Sequence, residues 1–331
     1  MRAWIVRRPG GPDALELSEL PEPEADNGMV RVAVKAFGLN RAEAVTRAGG
    51  SGDSVRFPRV IGIECVGTVV AAPGTDLTAG QKVAVVMGGL GRDYDGSYAE
   101  QTVAPRNAVY PIETSLAWTD LAALPESYLT AWGCLHDAIG IDRTSLPKVV
   151  MRPGASALGR AVTNIVTHGR GQVIGITRSQ HKVDALLGAG MADVIVGDAE
   201  VAEQVRAIWP DGATGIIDAV TSSATIADDL AMKAKGGRVC IAGSLAASSG
   251  DGDAPGLSVA MAMARPSVKR YSSETLTATS HTTTLQGIVE RVEAGDYQPG
   301  IDTIIGFDDL RSAHEGIDAN AFAGKVVVTL D

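Results

Sequence analysis

The sequence predicts an α/β protein in two parts: a β-rich part and a doubly wound parallel sheet. Three observations predict it. From about residue 120, short apolar runs alternate with helix-patterned ones, the order of βαβ units with right-handed crossovers. Those runs are continuously apolar, as strands buried on both faces are. Residues 1–115 instead hold short apolar runs broken by Gly and Pro, the texture of strands joined by turns.

In the first part, strands are expected at Met29–Ala36, Gly67–Ala72 and Lys82–Val86. The 21–24 segment, Pro-Glu-Pro-Glu, and Asp26-Asn27-Gly28 are turn chemistry ahead of the first strand. Helical patterning runs through Leu121–Ile139. Strands are then expected at Lys148–Arg152, Gln172–Thr177, Asp193–Gly197, Gly215–Ala219 and Arg238–Gly243. Helices are expected between them at Leu158–His168, Gln180–Leu187, Val201–Ile208 and Thr225–Lys235. Ala246–Leu257 reads as a polar, Gly-rich loop, a length that is often functional. An amphipathic helix near Leu285–Ala294 and a strand at Gly324–Leu330 close the chain.

At 331 residues, 45% apolar and 21% charged, the chain has room for two domains. No apolar run reaches the ~18 residues that span a bilayer. The opening MRAWIVRRPGG is basic but has no apolar core, so no secretory signal is expected and the cytoplasm is the expected location. The net charge of −10 argues against broad nucleic-acid binding, which needs a basic face. It leaves room for a local basic pocket. Cys65, Cys134 and Cys240 are far apart, without disulfide-framework or zinc-finger spacing. Cys134 and Cys240 read as small core residues. His136, His168, His181, His281 and His314 are scattered and read as structural or exposed.

Residues 149–182 carry the clearest chemical signal. An apolar run ends in a small-residue turn, Pro153-Gly154-Ala155-Ser156-Ala157-Leu158-Gly159, and a helix follows. Backbone N–H groups at such a turn approach a pyrophosphate while the helix presents its positive end. Gly159 lets helix and strand pack closely. The run is not a clean G-x-G-x-x-G, because Pro153 and Ser156 stand where glycines are usual. The Ser156 hydroxyl is expected to add a bond to the pyrophosphate. About 20 residues on, NAD-binding folds carry an acid for the ribose 2′-OH. Here Thr177, Arg178 and Ser179 stand there, with Lys182 one turn further. Arg pairs bidentately with a 2′-phosphate and Lys adds a point charge, which predicts NADPH. A solvated helix start is the alternative reading of Arg178 and Lys182.

The chain resembles the zinc-independent quinone oxidoreductases of the medium-chain dehydrogenase/reductase superfamily. The resemblance rests on ordered blocks: GLNRAEAVTRAGG (38–50), FPRVIGIECVGTVVAAPG (57–74), GQKVAVV (80–86), GSYAEQTVAP (96–105), LPESYLTAWGCL (124–135), the turn, IDAV and GGRVCIAG ending at Gly243, and FAGKVVVTL (322–330). It implies a GroES-like catalytic domain built from 1–120 and 266–331, and a Rossmann NADP-binding domain at 121–265 with the active site in the cleft. It also implies a homodimer. Zinc alcohol dehydrogenases of that superfamily place a Cys at the position of Asn40 and a His at that of Ile63. Neither Asn nor Ile readily ligates zinc, and a four-cysteine lobe is missing, so no metal is expected.

The resemblance assigns Asn40 to substrate or nicotinamide positioning and Thr130 to the neighbourhood of the nicotinamide. Glu64 takes the place of the family's cleft glutamate, with a direct role or a buried, hydrogen-bonded one. Many relatives carry tyrosines where this chain has Val45 and Ser51. Arg47 remains, either to steer an anionic or polar substrate or as a solvated side chain. The expected function is NADPH-dependent reduction of quinones or enones, small-molecule substrates, with no nucleic-acid or membrane partner. Alternatives are an NADPH-binding protein with little catalysis, or a zinc-independent alcohol dehydrogenase or enoyl reductase.

Overall fold

The computed structural model describes residues 1–142, 146–243 and 262–330. The expected loop Ala246–Leu257 lies outside the described residues. The chain forms two units. Unit 1 comprises Met1–Leu129, Ser273–Gly295 and Ile301–Asp331; unit 2 comprises Thr130–Ser272 and Asp296–Gly300. No helix among the described residues is long and apolar enough to cross a membrane.

Unit 1 is the β-rich, GroES-like part. It begins with β1 (Arg2–Val6), β2 (Leu15–Glu19), β3 (Met29–Leu39), α1 (Arg41–Arg47), β4 (Arg59–Val60), β5 (Glu64–Ala71), β6 (Lys82–Val86), β7 (Gln101–Pro105), β8 (Val109–Pro111) and α2 (Trp118–Ala122). Late in the chain it adds α8 (Ala278–Glu293), β15 (Ile301–Gly306), α9 (Leu310–Asp318) and β16 (Lys325–Thr329). One sheet runs β15-β16-β3-β5-β6-β8, with β7 also on β3; a smaller one runs β2-β1-β4. Phe37 stacks on Tyr98 at 4.9 Å between ring centroids, and Phe307 meets Phe37 edge-on, in the core of this unit. The C-terminal strand lies antiparallel on β3 with Val326 opposite Leu39. This register brings Lys325 beside Asn40, and it matters for the site.

The expected helix 121–139 is three pieces. Pro125 opens α3 (Pro125–Gly133), because proline has no N–H to continue α2 but fits a first helical turn. Residues Cys134–Ile139 then widen into a π-helix that stops at Gly140 with φ 76°.

Unit 2 alternates β9 (Lys148–Arg152), α4 (Ala157–His168), β10 (Gln172–Thr177), α5 (Val183–Gly188), β11 (Asp193–Val196), α6 (Val201–Ile208), β12 (Ala213–Asp218), α7 (Ser223–Met232), β13 (Lys233–Ile241) and β14 (Val268–Arg270). All pairs are parallel, in the order β11-β10-β9-β12-β13-β14. This is the doubly wound Rossmann order, which reverses between the first and fourth strands. Val149, Val150, Ile174 and Ile216 are fully buried, which is why these strands read as unbroken apolar runs. Helix α7 ends earlier than expected, at Met232, because Lys233 already takes extended dihedrals and starts β13. The sixth strand, β14, was not expected, being only three residues long.

Candidate functional site

In unit 1, β3 runs out at Leu39 and Asn40 caps α1 in an extended conformation, φ −128° and ψ 154°. The backbone N–H of Asn40 donates to Glu43 Oε2 at 2.9 Å, the returning arm of a capping box. The Asn40 amide nitrogen donates to Glu64 Oε1 at 2.9 Å and to Glu43 Oε1 at 3.3 Å. Lys325 Nζ donates to Glu64 Oε1 at 2.5 Å, to Asn40 Oδ1 at 2.6 Å and to Ser127 Oγ at 3.2 Å. Glu64 Oε2 accepts the backbone N–H of Glu126 at 2.9 Å, and Glu43 Oε1 that of Ile63 at 3.3 Å.

Glu64 is 0% exposed, and Glu43 and Lys325 are 1% exposed. Asn40 is only half-buried. A buried carboxylate and ammonium are tolerated together because each offsets the desolvation of the other; removing one costs about 3–5 kcal/mol. Burial pushes the Glu43 carboxyl up to about 7, Lys325 opposes that rise, and the Glu64 charge adds to it. Glu64, fully buried with three donors on its carboxylate, fits the buried, hydrogen-bonded reading. Gly38 leaves the space: a Cβ there would collide with Lys325 Cε, Glu64 Oε1 and the carbonyl of Ala122. Sequence reasoning missed Lys325, Glu43 and Ser127. The available signal was a lysine opening an otherwise apolar strand, since such a charge needs a buried partner.

The structure corrects the reading of Arg47. It is 2% exposed, and its guanidinium donates to His314 Nδ1 at 2.9 Å, to Asp318 Oδ2 at 2.6 Å and to the carbonyl of Gly10 at 3.2 Å. These bonds tie α1 to α9 and leave no face to steer a substrate. An arginine cannot accept, so His314 Nδ1 is the acceptor and the imidazole is neutral. Burial first, and then the Arg47 charge, push its pKa down to about 3. Ser51 bonds the Thr46 hydroxyl at 3.0 Å.

In unit 2, the turn after β9 is tight. Gly154 N–H bonds the carbonyl of Ile176 at 2.7 Å. A Cβ on Gly154 would press on the Gly175 backbone, and one on Gly159 would collide with the Gly154 carbonyl. Ser156 caps α4: its hydroxyl donates to the Pro153 carbonyl at 2.9 Å and accepts Gly159 N–H at 3.0 Å. The hydroxyl proton is therefore committed to the turn, which corrects the expectation that it bonds a pyrophosphate. The N–H groups of Ala157 and Leu158, in the first turn of α4, are the ones a helix leaves for an outside acceptor.

At the end of β10, Arg178 is exposed and Ser179 half-buried. Thr177 is 5% exposed, with its Oγ1 accepting Ser179 N–H at 3.2 Å. Lys182 is 2% exposed. It folds inward from the turn Gln180–Lys182, so it is not the solvent-facing point charge expected for a 2′-phosphate. Thr130 lies in α3, 7% exposed. The Gly243 carbonyl accepts the Thr221 hydroxyl at 2.6 Å. An anionic dinucleotide fits this turn, with helix N–H groups at one end and an arginine at the other.

Zinc does not fit the unit 1 cluster. The Lys325 ammonium already takes the oxygens of Asn40 and Glu64 that a cation would need, and Ile63 offers none. Among the described residues, no group of three or more His, Cys, Asp or Glu could hold a metal.

Two family models match. "Alcohol dehydrogenase GroES-like domain" covers residues 26–114, and "Zinc-binding dehydrogenase" covers 189–328. Quinone oxidoreductase of Rattus norvegicus is 28% identical over 248 residues, 73% of each chain. Synaptic vesicle membrane protein VAT-1 homolog-like of Mus musculus is 26% identical over 225 residues, 68% of this chain and 52% of its own. The chain thus spans about half the length of that relative. Among solved structures, a Pseudomonas syringae quinone oxidoreductase superposes with a TM-score of 0.86 at 21% identity, covering 99% of both chains. A mycobacterial protein complexed with NADPH superposes at 0.83 and 22% identity, over all of both chains.

Proposed function

Because the chain belongs to the quinone oxidoreductase family of the medium-chain dehydrogenase/reductase superfamily, we propose that it reduces quinones or α,β-unsaturated carbonyl compounds with NADPH and without a metal ion. The observation that carries the cofactor choice is Arg178, exposed at the end of β10 where an acid would serve NAD. The mycobacterial neighbour complexed with NADPH supports it.

NADPH, when bound, supplies the hydride. Ala157 and Leu158 would hold its pyrophosphate through their backbone N–H groups, with Gly154, Ala155, Ser156 and Gly159 shaping the tight turn that lets it approach. Arg178 and Ser179, next to Thr177, would bind the 2′-phosphate. Thr130 and Gly243 would line the nicotinamide end. In unit 1, Asn40 would meet a ligand group while Glu64 and Lys325 hold it in place.

The test is consumption of NADPH with 1,4-benzoquinone and with simple enones. Turnover with either class is expected. NADPH binding without turnover across a broad acceptor panel would sink the reading. That outcome would select a second one, a cofactor-binding protein with little catalysis. Val45 and Ser51 favour it, since they supply no phenol donor, as does the relative named for a vesicle membrane rather than a reaction.

A further inference from the structure

We infer that Lys325 is a positioning residue that fixes the Asn40 side chain as a hydrogen-bond acceptor. The ligand group that meets Asn40 is then a donor, a hydroxyl or an amide N–H such as a ribose or a carboxamide carries, and not the carbonyl oxygen of a quinone or enone. The inference rests on the proposed reading that Asn40 meets a ligand.

A carboxamide has two N–H donors and one oxygen with two lone pairs. Both donors of Asn40 face carboxylates, Glu64 Oε1 at 2.9 Å and Glu43 Oε1 at 3.3 Å. Its oxygen faces the Lys325 ammonium at 2.6 Å, and an ammonium can only donate. The orientation is therefore forced. A flipped amide would set two N–H groups against an ammonium and its oxygen against a carboxylate. The second lone pair of Oδ1 faces only the Glu43 N–H of the capping box, which already bonds the Asn40 main-chain carbonyl at 3.2 Å, so a ligand donor competes there with one weak, forked contact. Glu43, Glu64, Ser127 and Lys325 are all at most 2% exposed, whereas Asn40 is half-buried, so Asn40 is the member of the cluster that reaches outward.

The chemistry gives this polarity a consequence. As hydride adds to a quinone or enone, negative charge grows on its oxygen and calls for a donor. Asn40 has no donor left to give. It can orient a hydroxyl or an amide, and the stabilising donor comes from elsewhere, including solvent. Gly38 belongs to the same device, because any side chain there would displace the Lys325 ammonium.

The sharpest test is Asn40→Ala, read as a split between affinity and turnover. Loss of an acceptor that orients a ligand hydroxyl or amide is expected to weaken NADPH binding or raise KM about tenfold, one hydrogen bond's worth, and to lower kcat at saturation by less. A fall in kcat of the ~10²-fold or more expected for a missing transition-state donor would overturn the inference.

A second set tests Lys325. Lys325→Met with Glu64→Gln removes both charges together. It is expected to weaken NADPH binding or kcat/KM about tenfold, one hydrogen bond's worth of positioning, and to have no further effect when Asn40 is already replaced by Ala. Unchanged binding and kinetics in the folded pair, or an equal loss with and without Asn40, would mean that Lys325 is only a stabilising partner of Glu64. Asn40→Ala alone checks the underlying reading: if it alters neither NADPH binding nor kinetics, Asn40 meets no ligand and the inference falls with it. NADPH affinity is read without any acceptor, so failure of quinone turnover does not by itself touch this inference.

Discussion

Acidification from about pH 7 to about pH 5 should change the stability of unit 1 very little, because two buried groups oppose each other there. Glu43 titrates at about 7 in the fold against 4.5 for an ordinary glutamate. Between those values the folded protein binds a proton that the unfolded chain does not. Its stability therefore rises as pH falls through 7 and is fully gained below 4.5. His314 is the reverse case, at about 3 against 6.5. The unfolded chain binds a proton that the fold refuses, so stability is lost as pH falls through 6.5 towards 3. At ~1.36 kcal/mol per pK unit, each contribution is about 2 kcal/mol over this interval, with opposite sign. Replacing Glu43 by Gln removes only the stabilising half. The variant should lose about 2 kcal/mol between about pH 7 and about pH 5, while the parent changes by less than about 1 kcal/mol. Urea unfolding at both pH values measures it, with the unit 1 transition assigned by amide exchange of β3. The comparison is of pH changes, so any fixed cost of the amide cancels. Equal pH dependence in parent and variant would refute the placement of Glu43 as a group that takes up a proton near neutrality.

Arg178→Ala should raise the NADPH dissociation constant by roughly tenfold or more and leave NADH nearly unchanged, since charge-assisted bonds contribute about 1.5–3 kcal/mol each. Titration of both cofactors checks it, and an equal loss for both would remove Arg178 from the 2′-phosphate. Ser156→Ala should lower unit 2 stability by about 1 kcal/mol through the lost α4 cap. A large rise in the NADPH dissociation constant with unchanged stability would return the hydroxyl to the cofactor.

The unit 2 strands were legible because burial on both faces writes itself as consecutive apolar residues. Lys148–Arg152 and Gln172–Thr177 appear with the bounds the pattern gives. The turn at 153–159 was legible as a small-residue run, but not which of its polar atoms remain available. Whether the Ser156 hydroxyl caps a helix or meets a ligand depends on its distance to Gly159 N–H, which residue types do not state. Lys182 and Arg47 misled for a related reason. Sequence gives a long cationic side chain a solvated head by default, and only packing shows the head turned inward, as Arg47 is on His314 and Asp318.

The unit 1 cluster was half legible. Asn40 and Glu64 stand in recognisable blocks, yet what joins them is Lys325, 285 residues from one and 261 from the other. No local pattern carries that distance; the β16–β3 register does, by setting Val326 opposite Leu39. The arrangement also gives physical content to the glycine of the segment Gly38-Leu39-Asn40. That glycine leaves room for the end of the Lys325 side chain, whose Cε a Cβ there would meet, and the ammonium and the two carboxylates together set the direction of the Asn40 amide. A motif that reads as one asparagine with a nearby glycine is therefore a joint device: a space, a cation that enters it, and an amide whose direction the cation and two buried carboxylates set together.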